Sequence, residues 1–241
     1  MRRKKWLVAV GCLAVLATAC DDGRIAEAET SLQEAGYSVR LTGNFRHLAQ
    51  WADGYSVVLA GFEEDNDYAV ILKALPLNQA DSSEVVMDLN GIGEEVASLR
   101  LCAVDRLRES VYDFKTWLVT DLELHGDTTV LAAGTLAAGM YDALQQGLFN
   151  KTCIACHGAG ERPAAGLNLL EGESRAMLVG HPAVLQPDDL RVWPGKADAS
   201  ILYRMLATGM SAGMGIDHSD MLPAGDQLLT LLKTWIDDGA K

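Results

Sequence analysis

The sequence predicts two domains: an N-terminal all-β sandwich, then a C-terminal all-α domain, both behind a short export segment. Three observations predict this. Between Tyr37 and about Thr120, short runs rich in Val, Leu and aromatics alternate with Gly, Asn and Asp, the rhythm of antiparallel strands and turns. From about Met140 the apolar spacing becomes helical. The first twenty residues are basic, then apolar, then small, the layout of an export signal. The 241 residues allow one large domain or two small ones. Apolar residues make up 49% and mean hydropathy is +0.08, which suits a packed core and excludes a disordered or multi-span chain. With 20 Lys+Arg against 33 Asp+Glu and a net charge of −13, there is no basic stripe to replace phosphate counterions. A general nucleic-acid binder is excluded.

Residues 1–19 are expected to be a signal peptide. Arg2, Arg3, Lys4 and Lys5 precede an apolar run, Trp6 to Ala19, too short for a bilayer core that takes about 20 residues to cross. The stretch Leu16-Ala17-Thr18-Ala19-Cys20 resembles the lipobox of bacterial lipoproteins, with Ala17 where leucine is commonest. The resemblance implies lipid on Cys20 and a periplasmic, membrane-anchored protein without a spanning helix. Residues 20–36 read as a tether.

Residues 37–126 are read as the β-sandwich. Candidate strands are Tyr37–Thr42, Tyr55–Phe62, Tyr68–Leu75, Val85–Leu89, Val96–Val104 and Val111–Thr120, with turn signals at Asp53-Gly54, Asp65-Asn66-Asp67 and Asn90-Gly91. No catalytic residue types cluster here, and His47 and His125 stand alone in the sequence. Residues 127–137, rich in Ala, Gly and Thr, are read as a linker. In residues 138–241 one helical face is marked by Met140, Tyr141, Leu144 and Leu148, another by Ile201, Leu202, Met205 and Leu206. A third runs through Leu228, Leu231, Leu232, Trp235 and Ile236. Asp226 is placed to cap the last helix and Gly239 to end it.

The chemistry sits in Cys153-Ile154-Ala155-Cys156-His157. Residues three and four apart share a helix face, so Cys153, Cys156 and His157 can address one planar object. Two thiols at this spacing can form thioethers with the vinyl groups of haem, and the adjacent histidine can reach the iron. The spacing reads as attachment of one covalent haem c. A C-x-x-C pair also suits a redox dithiol or half a zinc site. The dithiol wants a βαβ context and zinc a second pair of ligands, and neither His181 nor His218 has a partner at ligand spacing.

For the other side of the iron the candidates are Met205, Met210, Met214, His218 and Met221. Met221 precedes Leu222-Pro223, where proline stiffens the loop. This region, about 138–241, resembles class I cytochromes c. It is closest in pattern to the planctomycete-type cytochrome c domains, which carry CxxCH, Pro-Gly-x-x-x-x-Ser, Met-Pro and a terminal Trp-Ile-x-x-Gly-Ala. Here stand Pro194-Gly195-Lys196-Ala197-Asp198-Ala199-Ser200 and Trp235-Ile236-Asp237-Asp238-Gly239-Ala240, with Leu222 intervening between methionine and proline. The resemblance implies an all-α cytochrome c domain, His157 and Met221 as axial ligands, and Trp235 packing the last helix on the first. Arg191 and Trp193 are candidate donors to a haem propionate.

The expected function is one-electron transfer between periplasmic redox partners. The alternatives are a haem subunit of a redox enzyme, such as a peroxidase or dehydrogenase, or an interaction module wired to a cytochrome. A di-haem peroxidase would need two CxxCH motifs, and the chain has one. Of the five cysteines, Cys12 goes with the signal, Cys20 takes lipid, Cys153 and Cys156 take haem, and Cys102 is left as a buried thiol. Loss of Arg2, Arg3, Lys4 and Lys5 lowers 20 basic residues to 16 against 33 acidic. The redox partner is therefore expected to dock through a basic surface.

Overall fold

The structure, a computed structural model, describes residues 36–77, 84–124, 128–158, 160, 163–209, 216–222 and 226–241. The expected signal peptide, Cys20, His125, Met210, Met214 and Pro223 lie outside the described residues. Those that are described belong to one compact unit, Glu34–Lys241.

Two sheets form first along the chain. Strands β1 (Tyr37–Arg46), β4 (Glu84–Ile92) and β7 (Thr129–Ala137) make a three-stranded sheet in the order β4-β1-β7. Strands β2 (Ser56–Phe62), β3 (Ile71–Ala74), β5 (Ser98–Val104) and β6 (Ser110–Leu118) make a four-stranded one, β3-β2-β5-β6. Alternation explains how they face each other. Val39, Leu41 and Phe45 of β1 point inward with Val85, Met87 and Leu89 of β4. They meet Val57 and Leu59 of β2 and Leu99 and Leu101 of β5 in one core. Strands β2 and β5 are apolar on both faces. Their outer residues Val58, Ala60, Phe62, Cys102 and Val104 form a second small cluster, with the Arg100 guanidinium 4.2 Å above the Phe62 ring.

Two expectations fail in this half. Residues 127–137 are not a plain linker, because Thr129–Ala137 is β7, paired parallel to β1 from Val39↔Thr129 to Arg46↔Ala137. Leu131 and Ala133 are buried in the sheet core between exposed Val130, Ala132 and Gly134, the two-residue period of a strand, which the Ala/Gly content masked. Asn90-Gly91 is not a hairpin turn either. It lies inside β4, where Gly91 has φ +75° and the register to β1 shifts between Tyr37 and Val39. The glycine supplies a bulge.

The all-α expectation for residues 138–241, and with it the two-domain β-plus-α fold class, is overturned. The helices are short: α1 (Met140–Leu144), a π-helical segment (Gln145–Cys153), α2 (Ile154–His157), α3 (Ser174–Leu178), α4 (Ile201–Thr208) and α5 (Gln227–Asp237). Between them run loops carrying isolated β-bridges, Val179↔Val192 and Pro182↔Leu190. Helices this short gain little from their own hydrogen-bond ladders. Pro163, Gly166, Gly172, Gly180, Pro182, Pro187, Pro194 and Gly195 interrupt the chain too often for longer ones. No helix among the described residues is long and apolar enough to cross a membrane.

Packing fixes these short elements. Trp235, 2% exposed, anchors a core with Met140, Leu144, Leu148, Phe149, Leu231, Leu232 and Ile236. Its ring lies 4.9 Å from Tyr141, so the last helix does pack on the first, and its Nε1–H donates to the Lys241 carbonyl at 2.8 Å. Val111, Tyr112 and Phe114 of β6 and Ala52 of the β1–β2 loop join the same core. The Trp51 Nε1–H donates to the Ala138 carbonyl at 2.8 Å. His47, alone in the sequence, has Nδ1 2.8 Å from the Asp142 carboxylate. That carboxylate also accepts the Gly139 N–H at 2.8 Å and so closes the first turn of α1.

Candidate haem-attachment site

Cys153, Cys156 and His157 lie on one unbroken helical stretch. The π-helical segment ends at Cys153, α2 begins at Ile154, and Cys153 (φ −79°, ψ −33°) and Ile154 (φ −66°, ψ −15°) both keep helical dihedrals across the junction. The wide turn of a π-helix inserts an extra residue, and Gln145 inside it is buried. Gln145 donates to the Leu169 carbonyl at 2.9 Å and to Asn150 Oδ1 at 2.7 Å. It accepts from Ser174 Oγ, which in turn lies 2.6 Å from the Tyr141 hydroxyl. This network joins the motif's helix to the loop before α3. Nothing in the residue spacing announced it.

Both motif thiols are free. Cys153 is half-buried and Cys156 exposed. Burial, and secondarily the neighbouring Cys156, push the Cys153 thiol up to about 11, so it is a neutral thiol at pH 7. Helix α2 ends directly after His157, whose Nδ1–H donates to the Ala164 carbonyl at 2.9 Å. A ring so held has its tautomer set and presents Nε2 to a metal. Burial lowers the His157 pKa. The Ala164 and Leu167 carbonyls oppose this, while His218 and Arg191 add to it. The ring is thereby kept neutral, the form a metal requires.

The Ala164 carbonyl is itself held in place. Residues Ala164–Gly166 form a tight turn in which Ala165 has φ +52° and Gly166 φ +57°. The Arg191 guanidinium donates to the Met177 carbonyl at 2.8 Å and to the Ala165 carbonyl at 3.3 Å. Arg191 is thus occupied with the backbone beside His157, a positioning contact that residue type alone did not reveal. Trp193 is 38% exposed, with the Lys196 ammonium 4.0 Å from its ring. The Pro194–Ser200 element docks on the end of α5. Gly195 N–H donates to the Ile236 carbonyl at 2.7 Å and Ala197 N–H to Asp237 Oδ1 at 2.8 Å.

Of the candidates for the opposite face, Met205 is half-buried on α4, and Met221 is exposed at the end of the 3-10 turn Ser219–Met221. His218 stands at the head of that turn, its ring centre 6.3 Å from that of His157. His181 is exposed in the loop after α3. No group of three or more His, Cys, Asp or Glu converges among the described residues, so the geometry is two neighbouring rings, their planes tilted 38° to each other, and not a closed cage. A hollow of about 350 Å³ lined by residues 49–53, Asp238 and Lys241 shares no residue with the site. Comparison with protein-family models, with curated proteins and with solved structures found no match.

Proposed function

We propose that this chain is a mono-haem c-type cytochrome, held by lipid on Cys20 at the periplasmic side of a bacterial membrane, passing single electrons between protein partners. The observation that carries the reading is the placing of Cys153, Cys156 and His157 on one helical stretch, with His157 Nδ1–H on the Ala164 carbonyl. The residues fit the cofactor: two free thiols, an oriented neutral imidazole, and exposed apolar side chains, Ile216 and Met221, suited to an apolar macrocycle. Cys153 and Cys156 would hold it by thioethers and His157 by Nε2. Bound haem supplies a one-electron iron couple.

The chain's own residues do the positioning. The turn Ala164–Gly166, fastened by Arg191, fixes the His157 ring. The Tyr141–Trp235 stack and the Gln145 network hold the helices that carry the motif. A scaffold fastened in this way limits reorganisation when charge changes, which suits one-electron transfer. The excess of 33 acidic over 20 basic residues directs encounter with a partner whose docking surface is basic.

The test is maturation of the full chain in cells that carry the haem-attachment machinery. The expected product keeps haem through denaturing electrophoresis, and Cys153→Ser with Cys156→Ser abolishes it. A wild-type chain without covalent haem refutes the proposal. Labelled fatty acid should enter the wild type and not Cys20→Ala. Reduction by a small basic redox protein should slow as ionic strength rises, and a salt-independent rate would remove the docking argument.

A further inference from the structure

Resting on the haem reading above, we infer that His218, through Nε2, is the second axial ligand, so that the iron is held between two imidazoles. The expected sulfur ligand Met221 is displaced from that role. Three observations carry this. First, imidazole–metal bonds run about 2.0–2.1 Å, which places two imidazoles bound trans on one metal about 6 Å apart, centre to centre. The His157 and His218 ring centres are 6.3 Å apart, although the residues lie on separate elements.

Second, the two rings are prepared alike. His157 Nδ1–H donates to the Ala164 carbonyl at 2.9 Å, and His218 Nδ1–H to the Ile216 carbonyl at 3.2 Å. Each imidazole is thus fixed with Nδ1 protonated and Nε2 as the donor atom, the arrangement that orients metal-bound histidine.

Third, the backbone holding His218 is built, not loose. The Asp217 carboxylate accepts the Ser219 N–H at 2.9 Å and the Ser219 hydroxyl at 2.7 Å. That carboxylate lies against Gly209, the left-handed residue ending α4 (φ +61°), where an added Cβ would stand 2.6 Å from Asp217 Oδ1. Met221 N–H donates to the His218 carbonyl at 3.2 Å. In such a 3-10 turn, residues three apart eclipse, so Met221 stands on the same side, one step further along.

The assignment is tested on the full chain carrying covalent haem. Wild type is expected to be low-spin in both oxidation states, without the sulfur-to-iron charge-transfer band of the ferric form. Its reduction potential is expected below that of a Met/His centre, since methionine ligation raises it. Met221→Ala should keep the low-spin bis-imidazole signal, with no sulfur band to lose, whatever small shift in potential follows from trimming an apolar neighbour. His218→Ala should lose the bis-imidazole electron spin resonance signal, either opening the ferrous iron to carbon monoxide or gaining the sulfur band as Met221 moves in. His218→Met should gain that band, with haem content confirming that the variant is folded. A sulfur band in wild type that disappears in Met221→Ala overturns the assignment and leaves the haem reading standing. A high-spin wild type overturns it as well. Absence of covalent haem overturns both.

Discussion

Adding one methyl group at Gly147 sets two effects against each other. Gly147 lies within the π-helical segment leading to Cys153. In a helix interior Gly→Ala is ordinarily stabilising by about 0.5–1 kcal/mol, because alanine loses less backbone entropy. Here the new Cβ would stand 2.8 Å from Tyr112 Cε2, 2.9 Å from Cδ2 and 3.1 Å from Leu228 Cδ1. The Tyr112 ring has little room to yield, since Phe114 meets it edge-on at 5.0 Å and the Lys151 ammonium lies 6.0 Å from its centre. Overpacking of this kind costs about 1–3 kcal/mol. The clash wins, for a net loss of about 1 kcal/mol, or about 2–4 °C in Tm for a chain of this size. Thermal unfolding of the full chain by circular dichroism measures it. In a Tyr112→Ala background the two closest contacts are gone and only the flexible end of Leu228 remains, so the same substitution should cost less or become neutral. A Gly147→Ala variant that melts at or above wild type would refute the close approach of this helix to β6.

Three further outcomes are expected. Asp226→Ala removes the carboxylate that accepts the Leu228 N–H at 2.7 Å and should cost about 1 kcal/mol, read as a lower urea midpoint; an unmoved midpoint would mean the cap contributes nothing. Desolvation pushes the Asp237 carboxyl up, but the Ala197 N–H and the Lys233 ammonium at 2.9 Å outweigh it and hold the pKa below the usual range. Its contribution is therefore complete above the ordinary carboxylate pKa of about 4 and lost as pH falls through the lowered value. Asp237→Asn should flatten the acid limb of stability against pH, and an identical limb in both proteins would sink this account. Burial raises the Cys102 pKa far above the ordinary thiol range, so in haem-free protein alkylation should reach exposed Cys156 early and Cys102 only on unfolding, as peptide mapping would show.

Where the sequence was legible, the cause was short-range. Each of the six expected strands has a counterpart, because alternation of apolar residues has the same period as the pleat. The ends still moved. β1 runs on to Arg46, since Phe45 is needed in the core, and β3 shrinks to Ile71–Ala74. The faces of α1 and α5 are buried as their spacing required, and Asp226 caps α5 through its own side chain. What misled was composition. Alanine, glycine and threonine in residues 129–137 suit a linker, yet these residues close a sheet edge beside β1. A parallel partner distant in sequence supplied the hydrogen bonds. Helical periodicity likewise identified the apolar faces of 138–241 without announcing how often proline and glycine cut the helices between them.

By itself, the sequence determined the order of Cys153, Cys156 and His157 and the net charge of −13 on which the proposed function rests. Both are properties of covalent spacing and of counted side chains, independent of how the chain closes. Only the tertiary structure decided what surrounds them. The carbonyl that fixes His157 belongs to Ala164, the guanidinium fastening that turn comes from Arg191, and the ring beside that of His157 is that of His218. The last two join segments far apart along the chain, and the first two depend on backbone groups, which every residue type carries alike. No spacing rule could single them out until packing around Trp235 had brought the segments together.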